Sequence, residues 1–206
     1  MTDKGFQGFE EHLTKAENAL TRAWQMNPNN AKTAYLMMSV ELGQGQGVAR
    51  MDLWFQRAMA LNPNFHDAAQ SMAYYLEPRW YGSDETALNF ARTCVTSTNW
   101  GGEVPLVLVR LHKSLAQYHE QTNATYWKQP QVWNDVQSSY EKFFALNPKQ
   151  NEWRHDYAMD AYNCGQSAVF LQQAKLFATG TNYTFFGGKQ KFEEMLQMAK
   201  QTVKQP

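Results

Sequence analysis

Apolar positions recur at helical spacing along most of this chain. Ala34, Tyr35, Met38 and Leu42 fall at i, i+1, i+4 and i+8. Met51, Trp54, Phe55, Ala58, Met59 and Leu61 form a second stripe. Ala68, Ala69, Met72, Ala73 and Leu76 form a third, and Ala87, Leu88, Ala91, Cys94 and Val95 a fourth. Further stripes occupy about 104–120, 130–146, 150–163, 166–179 and 189–203, and a first helix is expected over about 6–26. The pattern predicts roughly ten helices and no strand. The one β-like run, VPLVLV at 104–109, continues into the helical spacing of Leu111, Leu115 and Tyr118. It is therefore expected to be a helix with Pro105 in its first turn.

Asn-Pro steps punctuate the stripes. AWQMNPNN (23–30), AMALNPNF (58–65) and FFALNPKQ (143–150) each join an apolar helical run to a polar restart. Pro28 and Pro63 are 35 residues apart, and Pro148 follows after another 85. A residue before proline is pushed out of the α region, so helices should stop at Asn27, Asn62 and Asn147. Proline is tolerated at the start of the next segment, so an antiparallel neighbour can begin within a few residues. Gly43, Gly45 and Gly47 make a further break.

These spacings resemble the tetratricopeptide repeat. Phe55, Ala58 and Pro63 occupy the last large, small and proline positions of its second helix, and Ala16, Leu20, Ala23 and Pro28 match in the same frame. Tyr140 and Pro148 also match, with Phe143 where a small residue is expected. Tyr35 replaces the usual Trp and Ser39 the usual Gly. The resemblance covers about residues 9–76. It implies an all-α array of about ten antiparallel paired helices, an α-solenoid that is irregular in its C-terminal half. The whole chain, 1–206, would be one helical-repeat domain, regular over about 6–97 and irregular over about 103–206, ending in a cap helix. Stacked pairs would offer a concave surface suited to binding. Pro78, Arg79, Trp80, Gly82, Ser83, Leu88, Phe90, Ala91 and Arg92 carry a second resemblance, to the bacterial family known only as domain of unknown function 4034. It implies a helical repeat domain and a bacterial source, and assigns no activity.

Composition narrows the classes. With 43% apolar and 14% aromatic residues, a substantial core is expected rather than disorder. Nineteen basic and nineteen acidic residues give a formal net charge of zero, which argues against nucleic acid as the partner. Cys94 and Cys164 are 70 residues apart and belong to no C-x-x-C pair, so neither a disulfide framework nor a zinc site is expected. No stretch approaches the ~20 apolar residues of a membrane span, and the first residues lack a signal-peptide pattern. A cytoplasmic location is expected for the chain as given, and a periplasmic or secreted one if a leader was removed.

Three stretches are candidates for a site. EPRWYGSDE (77–85) serves either as a bend or as a binding surface. As a bend, Pro78 ends a helix, Gly82 supplies a positive φ, Ser83 caps the next helix, Asp84 and Glu85 suit its dipole, and Trp80 plugs a gap between helices. As a surface, Arg79, Trp80 and Tyr81 face a groove. The long loop QTNATYWKQPQVW (121–133) either presents Tyr126, Trp127 and Trp133 to a ligand or folds back and buries them. TGTNYTFFGGKQ (179–190) lacks the spacing of a phosphate-binding loop and is expected to pack the last helix as a cap. His66-Asp67 and His155-Asp156 are adjacent pairs whose side chains should diverge on a helix, and His112 and His119 share a face without a carboxylate at ligand spacing. Cys94 lies on an apolar stripe and is expected in the core. Asn123 and Asn182 open glycosylation patterns that matter only in a secreted eukaryotic protein.

No catalytic constellation, metal site or cofactor motif is expected. The expected function is a protein- or peptide-binding module, with Tyr35, Arg79, Trp80, Tyr81, Tyr126 and Trp127 as its contact residues. Two alternatives stay open: an enzyme or small-molecule binder with a pocket between the regular and irregular halves, and a self-associating structural protein.

Overall fold

The computed structural model describes residues 3–119 and 125–204, so Asn123 lies outside the described residues. Among the described residues the regular structure is ten α-helices and two 3-10 turns, with no strand. The chain divides into two compact units, Met1–Leu111 and His112–Pro206.

The first unit holds α1 (Asp3–Met26), α2 (Ala31–Gln44), α3 (Val48–Leu61), α4 (His66–Tyr75), α5 (Asp84–Thr96) and a 3-10 turn at Val104–Leu106. α6 (Val107–Tyr118) starts in this unit, and the division falls inside it rather than in the connection at 97–103. VPLVLV is thus helical, but its first turn, containing Pro105, is 3-10 rather than α.

The Asn-Pro steps act as their chemistry dictates. α1 ends at Met26 and α3 at Leu61. The Asn27 side chain then accepts from the Asn29 N–H at 3.2 Å, and Asn62 accepts from the Asn64 N–H at 3.1 Å. Such Asx turns reverse the chain within a few residues. Asn30 caps α2 by accepting from the Lys32 and Thr33 N–H groups at 3.0 and 3.3 Å. Gly45, at φ 64°, closes α2 in the left-handed conformation and donates to the Glu41 carbonyl.

Each helix from α1 to α5 packs on the next, and α4 also reaches α2. Ala34, Ala58, Ala68, Ala69 and Ala73 are buried and let the helix backbones approach, while Met38, Met51 and Phe55 fill the space between them. Trp24 and Trp54 meet edge to face at 5.5 Å, with the Arg57 guanidinium over both rings. Trp100 packs against Phe55 and Phe90, at 5.4 and 6.4 Å, and so anchors the connection after α5.

The second unit holds α7 (Pro130–Leu146), α8 (Arg154–Asn163), α9 (Ser167–Leu176), a 3-10 turn at Ala178–Gly180 and α10 (Lys189–Lys204). Again each helix packs on the next. α7 stops at Leu146, with Asn147 as its C-cap. Ala158, Ala161, Phe170, Phe186, Phe192, Met195 and Ala199 form a buried cluster. The 181–188 turn thus packs onto α10 through Phe186 and through Tyr183, whose ring lies 5.9 Å from Phe192.

Candidate functional site

The turn between α4 and α5 is fully specified by local bonding. Glu77 donates its N–H to the Tyr74 carbonyl, and its own carbonyl accepts from the N–H groups of Trp80 and Gly82, at 2.9 and 3.4 Å. Tyr81 N–H bonds back to the Tyr75 carbonyl at 3.2 Å. Ser83 then caps α5: its hydroxyl accepts from the Thr86 N–H, and the Thr86 hydroxyl accepts from the Ser83 N–H at 2.8 Å. Asp84 and Glu85 lie in the first turn, where the helix dipole favours them.

Gly82 is needed here for a different reason from the one expected. Its φ is not positive. A Cβ at this position would stand 2.1 Å from the Leu76 carbonyl oxygen, so the two backbone segments pass too close for any side chain.

One buried charge organises the turn. Glu77 is 0% exposed, and Arg79 Nε lies 2.8 Å from its carboxylate. Sequence reasoning assigns Glu77 no role, although an acid two residues before an arginine on a bend is a signal for such a pair. The Arg79 guanidinium also approaches the Tyr74 ring, at 6.0 Å.

From this base two aromatic side chains project. Trp80 is 42% and Tyr81 44% exposed. Trp80 leans on Tyr74 at 5.4 Å, and Tyr81 stacks on buried Tyr75 at 4.6 Å. The Tyr81 hydroxyl donates to the Leu42 carbonyl at 3.0 Å. The result is a shelf of Tyr74, Arg79, Trp80 and Tyr81 on the first unit, immobilised from beneath. Trp80 does not plug a gap between helices. Tyr35 is half-buried elsewhere on the unit, packed 5.1 Å from Phe65 with the Lys32 ammonium over its ring.

Of the two readings of Tyr126 and Trp127 the structure takes the buried one, so they do not stand on the surface as the expected contact residues. They are only 7% and 4% exposed, so both side chains are packed inward. The cause is a polar anchor that lies far away in sequence. Tyr126 Oη stands 2.8 Å from His112 Nδ1, and His112 Nε2 lies 3.0 Å from the Asp135 carboxylate. A carboxylate only accepts, so Nε2–H donates to Asp135, and Nδ1 shares a hydrogen bond with the Tyr126 hydroxyl. His112 therefore does have a carboxylate partner, 23 residues on. Likewise His66 and Asp67 touch, at 3.4 Å, instead of diverging.

An ionic group in the first unit ties three helices together. Arg50 on α3 lies 2.7 Å from carboxylate oxygens of both Glu17 on α1 and Glu41 on α2. Burial pushes the Glu41 carboxyl up against the opposing pull of Arg50, whereas hydrogen bonds from Arg50 and Gln44 hold Glu17 down. Burial also pushes both thiols, Cys94 and Cys164, up to about 12, so neither is a nucleophile at neutral pH. Among the described residues no group of three or more His, Cys, Asp or Glu could hold a metal ion. No helix among them is long and apolar enough to cross a membrane.

No family model, curated protein or solved structure matches the chain.

Proposed function

We propose that this protein is a protein- or peptide-binding helical-repeat module whose docking surface centres on Arg79, Trp80 and Tyr81. One observation carries the proposal: two large aromatic rings stand 42% and 44% exposed on a turn that bonding and close backbone contact leave little freedom to move. Exposed aromatics on a rigid base lose little entropy on binding, which is how interface anchors gain their energy. α4 packs on both α2 and α3, and such packing of successive helices is compatible with the tetratricopeptide-like array that the reading invokes. Arg79 is ion-paired with Glu77, so recognition would come from ring faces and backbone hydrogen bonds more than from a charge clamp.

The test is a photo-crosslinking amino acid placed at position 80 and, as a control, at exposed Leu176 on the second unit. Each variant is irradiated in lysate of the source cells. A discrete adduct from position 80 alone supports docking on this shelf. No adduct at 80, or the same adducts at both positions, overturns it.

A further inference from the structure

His155 on α8 is held from several sides by the segment after α9. Its ring lies 4.1 Å from that of Phe177, nearly parallel, with Phe186 and Phe185 at 5.8 and 6.0 Å. Its Nε2 accepts a hydrogen bond from the Asn182 backbone N–H at 3.1 Å. A ring nitrogen that accepts from an N–H bears no proton, so the imidazole is neutral with its proton on Nδ1, directed at the Gly180 carbonyl. Protonating Nε2 would set two donors face to face.

The surroundings offer the imidazolium little help. Residues 177–188 contain no Asp, Glu, Lys, Arg or His; their one titratable side chain, Tyr183, packs on Phe192. On α8 itself, Arg154 is directed at Asn151, Gln173 and the Phe144 ring. Asp156 favours the charged ring, but it also faces Lys113 Nζ on α6 at 3.7 Å. Burial outweighs both Asp156 and the Gly180 carbonyl and holds the His155 pKa below its ordinary 6.5. A depressed pKa means a contribution that is complete above pH 6.5 and is lost as pH falls through the folded-state value.

We propose that His155 is a proton-operated latch: when neutral it pins the 181–188 turn over the Phe177, Phe186 and Phe192 cluster, and when protonated it releases the turn and uncovers that apolar surface. Phe186 is what the latch hides, at 1% exposure. A mildly acidic compartment or local acidification would thus expose a second sticky surface, distinct from the aromatic shelf of the first unit.

The test tracks the Asn182 amide and the His155 ring protons by NMR between about pH 8 and pH 5, with an apolar fluorescent dye as a second probe. The two resonances should titrate together in the unmodified protein, and dye fluorescence should rise about twofold or more over the same range. His155→Gln keeps an acceptor for Asn182 but does not titrate, so both signals should stay flat in it. An Asn182 resonance that ignores the His155 titration, or no dye response, overturns the latch. So does an unchanged dye response in His155→Gln. The unmodified protein alone decides the matter if the variant fails to fold.

Discussion

The Tyr81 hydroxyl donates to the Leu42 carbonyl at 3.0 Å, joining the turn after α4 to the C-terminal end of α2. Leu42 belongs to the last turn of its helix, where carbonyls lack intrahelical partners. The bond explains why a half-exposed tyrosine is nevertheless fixed. It also explains Gly45, where a Cβ would come within 2.6 Å of the same hydroxyl, quite apart from the φ of 64°. Tyr81→Phe should therefore cost only about 0.5–1.5 kcal/mol, since water can replace the lost donor. Gly45→Ala should cost more, because about 1 kcal/mol for the left-handed backbone adds to the clash. Urea midpoints of the two variants check the order; equal midpoints would mean the close approach is relieved without cost.

Gly82 and Ser83 are neighbours with different duties, and their alanine variants should separate. Ser83→Ala removes a cap at a cost of about 1 kcal/mol. Gly82→Ala sets a methyl against the Leu76 carbonyl, where only backbone can yield, so a loss of about 3 kcal/mol or more is expected. Thermal melts of both variants test this. The Gly82 variant should also lose any crosslink formed at position 80, because the shelf moves with the turn.

The contrast between these residues shows what sequence makes legible. Ser83 and the Asn-Pro steps act through bonds spanning two to four residues, so residue type and spacing suffice to place them. Gly82 was legible as necessary but not for the right cause, since the approach of the Leu76 carbonyl is a property of the closed turn. Tyr126 and Trp127 illustrate the harder case. Tyr126 bonds to His112, 14 residues before it, which in turn bonds to Asp135, and no local pattern reports those bonds. Buried Glu41 was hidden for a related reason: a carboxylate enters a core where a specific partner meets it, and Arg50 meets Glu41 from another helix.

The two cysteines allow a simple chemical test. Both are buried, and burial has pushed their thiols up to about 12, so the reactive thiolate is scarce at pH 8. A small alkylating reagent at that pH should leave the native protein unmodified by mass and add two groups after denaturation. Rapid native labelling of Cys164 would mean that the end of α8 opens readily; rapid labelling of Cys94 would say the same of α5.

Asp160 makes stability depend on pH in a definite direction. Its Oδ2 accepts from the Tyr140 hydroxyl at 2.8 Å and lies 3.1 Å from Lys113 Nζ. Burial raises the carboxyl above its ordinary 3.8, and Lys113 and Tyr140 offset this only in part. A raised pKa means that the folded state binds the proton more tightly than the unfolded chain. Asp160 therefore contributes its full stability below pH 3.8, and the contribution is lost as pH rises through the folded-state value. Asp160→Asn keeps an acceptor for Tyr140 and removes the titration, so its stability should gain on that of the unmodified protein as pH climbs from about 4 to 7. Tyr140→Phe should act in the opposite sense. It removes a donor from a buried carboxylate and should cost about 1.5–3 kcal/mol at neutral pH, shrinking in acid once the carboxyl is protonated. Denaturant midpoints of the three proteins at pH 4 and pH 7 measure both effects. If Asp160→Asn tracks the unmodified protein at both pH values, the carboxylate is better solvated than its burial among Tyr140, Lys113 and the α7–α8 core implies.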